Sequence, residues 1–214
     1  MRSFGLFFVL AVFLFSCDNS VTDKKASEAD SSEKAGTAGQ ENKGPRTITD
    51  AVNDLKTILE RKNKNDIAEL IDFPAADTVM QVFLDDSAFQ KTYRKNGDKM
   101  TKPMFMYYFD TIARFTYLDE ITNIFKHVPT DSLQYAKELE KEFSDKNQPC
   151  TQRYSLSVQD TLVTLTYGSN SNPDYNWNKK GKKEEYPEAC EFTSIWIFRF
   201  DGNRLRLLRQ AVAG

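Results

Sequence analysis

Histidine is almost missing from this 214-residue chain, where His127 stands alone. Catalysis or metal binding by paired histidines is thereby excluded. Cysteine is scarce as well: the three residues are far apart, so no CxxC redox motif and no cysteine-rich metal site can form. Neither sign of charge dominates, since 29 Lys and Arg face 31 Asp and Glu for a formal charge of -2. Nucleic-acid binding needs a clustered excess of cations, so that class is set aside. A serine-hydrolase elbow, a phosphate-binding glycine loop and the ligand spacing of a calcium loop are missing too. No activity is named by motif, and neither a cofactor nor a metal is expected.

Long apolar runs are confined to the first residues, where Arg2 precedes the stretch Phe4 to Phe15. About 12 apolar residues are too few to cross a ~30 Å hydrocarbon core, which takes ~20 in a helix. A short basic start, an apolar centre and a small residue before a cleavage point make a secretory signal peptide. Leu14-Phe15-Ser16-Cys17 resembles the lipobox of bacterial lipoproteins, with Phe15 bulkier than the usual residue. That resemblance implies cleavage before Cys17 by signal peptidase II and a diacylglyceryl lipid, whose acyl chains include palmitate, on its sulfur, hence attachment to a cell-envelope membrane. Residues 1–16 are then the signal peptide. Phe4, Phe7, Phe8, Phe13 and Phe15 leave with it, so the remainder is more polar than the whole.

Asp18 to Arg46 has no aromatic residue and Val21 as its one large aliphatic side chain. Such a segment buries too little apolar surface to offset its ordering entropy. Residues 17–46 are therefore expected to be a lipidation site and a disordered tether, reaching on the order of 30 Å by flexible-chain statistics. The remaining residues 47–214 are expected to form one domain.

Within it, Val52, Leu55, Ile58 and Leu59 predict a helix after the cap candidates Thr49 and Asp50. Ile67, Leu70 and Ile71 predict a second, ended by Phe73-Pro74. Thr78 to Leu84 alternates as a short strand does, and Lys95 to Asp98 reads as a turn. A long helix is expected after Thr101, with Phe105, Tyr108, Phe109, Ile112 and Phe115 on one face. A shorter one should run from Asp119 to Val128, and another from Thr130 and Asp131 through Leu133, Ala136, Leu139 and Phe143. After Pro149 the period becomes two. Tyr154, Leu156 and Val158 predict a strand, Gln159-Asp160 a turn, and Val163, Leu165 and Tyr167 the return. Phe192 to Phe200 is apolar on both faces, which predicts a central strand covered twice. Asp201-Gly202 should turn it back through Leu205 and Leu207.

Helices first and an antiparallel meander afterwards predict an α+β domain, its helices packed on one side of a curved sheet. The segments Ile67 to Pro74 and Trp196 to Leu205 resemble uncharacterised lipoproteins of Bacteroidetes type with the nuclear transport factor two-like cone fold. The resemblance covers roughly residues 47–214. The helix expected near Thr130 to Phe143 departs from it.

With Cys17 given to lipid, Cys150 and Cys190 remain in a compartment that permits disulfides. Each immediately precedes a predicted strand, and a structural disulfide between them is expected. His127 near a helix end is read as interacting with terminal carbonyls. Acidic pairs such as Asp85-Asp86 and Glu184-Glu185, and the Lys179 to Lys183 cluster, are read as solvated surface. The polar excursion from Gly168 to Ala189 carries Tyr175, Trp177 and Tyr186, which are candidate ligand or partner contacts. Three functions stay open. The first is a non-catalytic binding module for a small ligand or an envelope protein. The second is a cone-fold enzyme with an internal pocket, using His127, Asp110 or Asp119, or an Asp beside Tyr107 or Tyr108. The third is an envelope structural or assembly factor acting through the 168–189 loop.

Overall fold

The chain begins its folded course with a reciprocal cap. Thr47 Oγ1 accepts from the Asp50 backbone N–H while the Asp50 carboxylate accepts from the Thr47 N–H. Both leading orphan donors are thereby satisfied, and helix α1 (Ile48–Arg61) buries Ala51, Val52, Leu55 and Leu59. The computed structural model describes residues 46–134, 137–175 and 190–214.

Asn63 caps the short α2 (Lys64–Ala68), and Leu70 and Ile71 stay buried although they lie beyond it in turns. The Phe73–Pro74 peptide is cis. A two-strand ribbon follows, β1 (Ala75–Ala76) pairing antiparallel with β2 (Lys99–Met100). Between them lies α3 (Ser87–Lys95), which composition alone did not reveal. Asp86 caps it and Phe89 is its buried anchor.

The strand expected over Thr78 to Leu84 is not formed. Its alternation is genuine, with Met80, Val82 and Leu84 buried and Phe83 exposed. Pairing is limited to one parallel bridge, Met80 to Gln210. A bulge at Leu208 leaves that residue without a partner beside the bridge, and bulges interrupt ladders.

The long aromatic helix is in fact two, α4 (Lys102–Tyr107) and α5 (Phe109–Phe115), meeting at Tyr108. Packing explains the break. Tyr108 sits edge-on to Phe89 at 5.1 Å and Phe105 edge-on to Phe109 at 5.6 Å. The bend keeps Phe105 and Ile112 buried together. Helix α6 (Leu118–His127) then buries Leu118, Ile121, Ile124 and Phe125.

The helix expected over Thr130 to Phe143 is not formed among the described residues. A 3-10 turn (Thr130–Gln134) leads to strand β3 (Glu138–Phe143). Leu139, Lys141 and Phe143 alternate with Glu138, Glu140 and Glu142 as readily as they fit a helix, and ladder bonds to the next strand decide the outcome. The sheet continues with β4 (Cys150–Gln159), β5 (Leu162–Ser171), β6 (Phe192–Phe200) and β7 (Leu205–Ala213), an antiparallel meander in chain order. The β4–β5 turn uses Asp160 and Thr161, one residue later than expected, with Asp160 in the left-handed region. At the β6–β7 hairpin, Gly202 has φ 95° and Asp201 Oδ1 accepts from the Asn203 and Arg204 N–H groups.

Register puts Leu156, Leu165 and Trp196 in one row, with Val163 beside Phe198 and Phe198 beside Leu207. These face the helices and form the core. Strand β6 is not covered twice: Ile195 and Ile197 remain half-buried on the other face, among Thr164, Thr166, Arg209 and Ala211. The domain is thus α+β, with helices packed against a five-strand antiparallel sheet. Among the described residues, no helix is long and apolar enough to cross a membrane.

Candidate functional site

Helices α5 and α6 are separated by two residues with unlike roles. Thr116 is fully buried, and its carbonyl accepts from Ser194 Oγ at 2.8 Å and from Trp196 Nε1 at 3.4 Å. Its own hydroxyl donates to the Ile112 carbonyl. Tyr117 follows with φ 55°, a left-handed conformation that costs a non-glycine residue on the order of 1 kcal/mol. The Thr116 clamp and the stacking of Tyr117 on Phe192, at 4.6 Å between centroids, hold that conformation.

In front of this junction lies a cleft of about 740 Å³. Phe109, Ala113, Tyr117 and Leu118 supply its apolar floor, and Asp110, Arg114, Asp119, Glu120 and Lys62 its rim. Lys62 Nζ sits 2.6 Å from Asp119 Oδ1 and ties the end of α1 to the start of α6. A mostly apolar concavity with a few polar groups at its edge has the make-up of a small-ligand site.

Glu120 connects the cleft to an aromatic ladder behind it. Its Oε2 accepts from the Tyr154 hydroxyl at 2.8 Å and from Asn123 Nδ2 at 3.2 Å. Tyr154 stacks on Tyr167 at 5.1 Å, and Tyr167 meets Phe192 edge-on at 5.3 Å. At the opposite end His127 is packed against Phe143 at 4.5 Å and Tyr154 at 4.6 Å. Burial, followed by the charge of Glu120, pushes the Tyr167 phenol up to about 12. Burial and then the hydrogen bond to Glu120 also raise that of Tyr154. Both phenols therefore stay protonated near neutral pH, and that of Tyr154 acts as a donor.

A second constellation closes the root of the expected 168–189 excursion, whose first residues, Gly168 to Ser171, instead continue β5 through ladder pairing with β4. Cys150 and Cys190 form the expected disulfide, their Cα atoms 5.4 Å apart. Asn172 is completely buried. Its Nδ2 donates to the Asp145 and Gln148 carbonyls, each at 2.8 Å, and its Oδ1 accepts from the Asp174 N–H. Glu191 Oε1 accepts from the backbone and hydroxyl of Ser171. The β3–β4 connection, the end of β5 and the start of β6 are thus tied to one another.

The expected site residues divide accordingly. Cys17 and the tether up to residue 45 lie outside the described residues, as do Trp177, Tyr186, Glu184-Glu185 and the 179–183 lysines. Tyr175 is half-buried just beyond Asn172, whose carbonyl accepts from its N–H. Asp110 and Asp119 border the cleft, while His127 sits between Phe143 and Tyr154 rings. Asp86 serves as the α3 cap, and Tyr107 is exposed. Among the described residues, no group of three His, Cys, Asp or Glu side chains is placed to hold a metal ion. Sequence reasoning missed Tyr117 and Glu120. The available signal was Tyr154 and Tyr167 at inward strand positions, since a buried phenol needs a hydrogen-bond partner from another element. The chain was compared with family models, with curated proteins and with solved structures, and no match was found in any of the three.

Proposed function

We propose that this chain is a lipid-anchored protein of the bacterial cell envelope that works as a non-catalytic binding module. In this reading residues 1–16 are removed as a signal peptide, Cys17 carries the lipid, and residues 18–46 tether the folded part to the membrane. The helices and meander are read as a cone of the nuclear transport factor two-like type. Leu14 to Cys17 supports the anchor, and the Cys150–Cys190 bridge fits an oxidising compartment.

The observation that carries the binding role is the cleft at the α5–α6 junction, where an apolar floor and charged rim surround a tyrosine held in strained backbone. Strained residues persist where surrounding contacts over-determine them, and such places cluster at ligand sites. Ala113→Trp should fill the cleft and abolish co-purification of the native ligand or partner with the anchored protein, leaving the thermal transition in place. Retained capture would remove the cleft from the reading. For the anchor, Cys17→Ala should abolish palmitate labelling; continued labelling would sink it.

A second reading, favoured by the pinned ends at Asn172 and Cys190, places the contact on the 168–189 loop and makes the protein an assembly factor. Replacing residues 176–189 by a short linker would then abolish partner capture where Ala113→Trp does not.

A further inference from the structure

Glu120 borders the cleft as a half-buried carboxylate, and among the described residues no Lys, Arg or His pairs with it. Lys62 is engaged by Asp119, and Lys126 donates to Asn123 Oδ1. The partners of Glu120 are a phenol and an amide, both on Oε2, which leaves Oε1 open at the cleft side for water or a ligand. The rim adds to the negative charge of Glu120. Asp110, Asp119 and Glu120 outnumber Lys62 and Arg114, so the cleft carries an excess of negative charge.

Aromatic surface lies beside that carboxylate. Tyr117 stacks on Phe192, approaches Tyr167 at 6.1 Å between centroids and is one of the residues that line the cleft. Tyr154 and Tyr167 are buried behind the carboxylate and do not line the cleft. A carboxylate beside an accessible tyrosine attracts an organic cation through both ion pairing and the ring quadrupole. A metal ion would want more oxygen ligands than this wall supplies. An anion would meet repulsion from the rim.

We propose that the cleft binds a small organic ammonium compound, its charged nitrogen at Glu120 and Tyr117 and its hydrocarbon part on Phe109, Ala113 and Leu118. The inference rests on the binding reading above and adds the ligand's chemical class. Both parts of the cleft are used: the apolar floor takes alkyl surface, as hydrophobic burial favours, and the carboxylate discriminates against neutral molecules of the same length.

The test is a chemical-shift titration of the full chain with n-hexylammonium and, separately, with n-hexanol. Saturable hexylammonium binding is expected to shift the Tyr117 ring signals, with hexanol at least about tenfold weaker. Glu120→Gln, which can still accept from Tyr154, should weaken hexylammonium at least about tenfold and leave hexanol unchanged. Should that variant fail to fold by near-ultraviolet circular dichroism, Tyr117→Leu takes its place, with the same expected loss for the cation. Equal affinity for both probes, or no loss in the variant, overturns the ammonium assignment while leaving the cleft as a binding site. If neither probe binds the wild-type chain, the assignment is likewise overturned, and co-purification with Ala113→Trp then decides the binding reading on its own.

Discussion

The two constellations at the ends of β5 and β6 are held by opposite means. At the loop root, a covalent bond and an asparagine with its amide group satisfied tie three backbone segments together. At the α5–α6 junction there is no covalent tie; a strained tyrosine is kept in place by one buried carbonyl and by ring stacking. Satisfied polar groups and a cross-link make the first region a fixed frame. The second region is held by hydrogen bonds to one carbonyl and by ring stacking alone.

That contrast can be attacked in order of expected effect. Replacing Cys150 and Cys190 together with Ala should cost up to about 4 kcal/mol in denaturant unfolding, the loop-closure value for a bridge with a sequence separation of 40. A loss below about 1 kcal/mol would show that the frame does not depend on its cross-link. Asn172→Ala strips hydrogen-bond donors from two carbonyls and should cost about 3 kcal/mol, with early loss of amide protection at Gln148 and Asp174. An effect spread evenly over the chain would argue against a local frame.

At the aromatic end the probe is alkali. Tyr154 and Tyr167 hold their protons more tightly when folded than the ordinary value near 10 allows, so the folded state binds more protons than the unfolded state above that pH. Their contribution is complete below pH 10 and is lost as pH rises through the folded values. Stability should fall by on the order of 2 kcal/mol between pH 10 and 12, measured as urea midpoints, and Tyr167→Phe should flatten the slope. Ser194→Ala is the mildest test. It removes one of two donors to the Thr116 carbonyl and should cost about 1 kcal/mol, with a near-ultraviolet change in the tyrosine and tryptophan regions, since the Trp196 indole is the donor that remains.

The hairpins were readable because alternation and turn chemistry agree there: Tyr154 to Val158, Val163 to Tyr167 and the Asp201-Gly202 turn all fall in the meander as expected. The disulfide was readable by elimination among three cysteines. Glu138 to Phe143 was not, because its residues satisfy periods of two and 3.6 alike and only the partner strand settles the choice. The break at Tyr108 was hidden for a related reason: it answers to Phe89, on another helix. The cleft was least legible of all. Its decisive features are a backbone angle at Tyr117 and a hydrogen bond between Glu120 and Tyr154, 34 residues apart, and neither leaves a local pattern.

The outermost strand has a further consequence. β3 ends the sheet, and Glu138, Glu140 and Glu142 project in a row from one side of it. An open strand edge invites another chain to add itself, and charges arrayed along it oppose that. Two molecules meeting edge to edge would set one row of carboxylates against another at cross-strand spacing, where like charges repel. The β3 edge therefore resists pairing with the same edge of another copy.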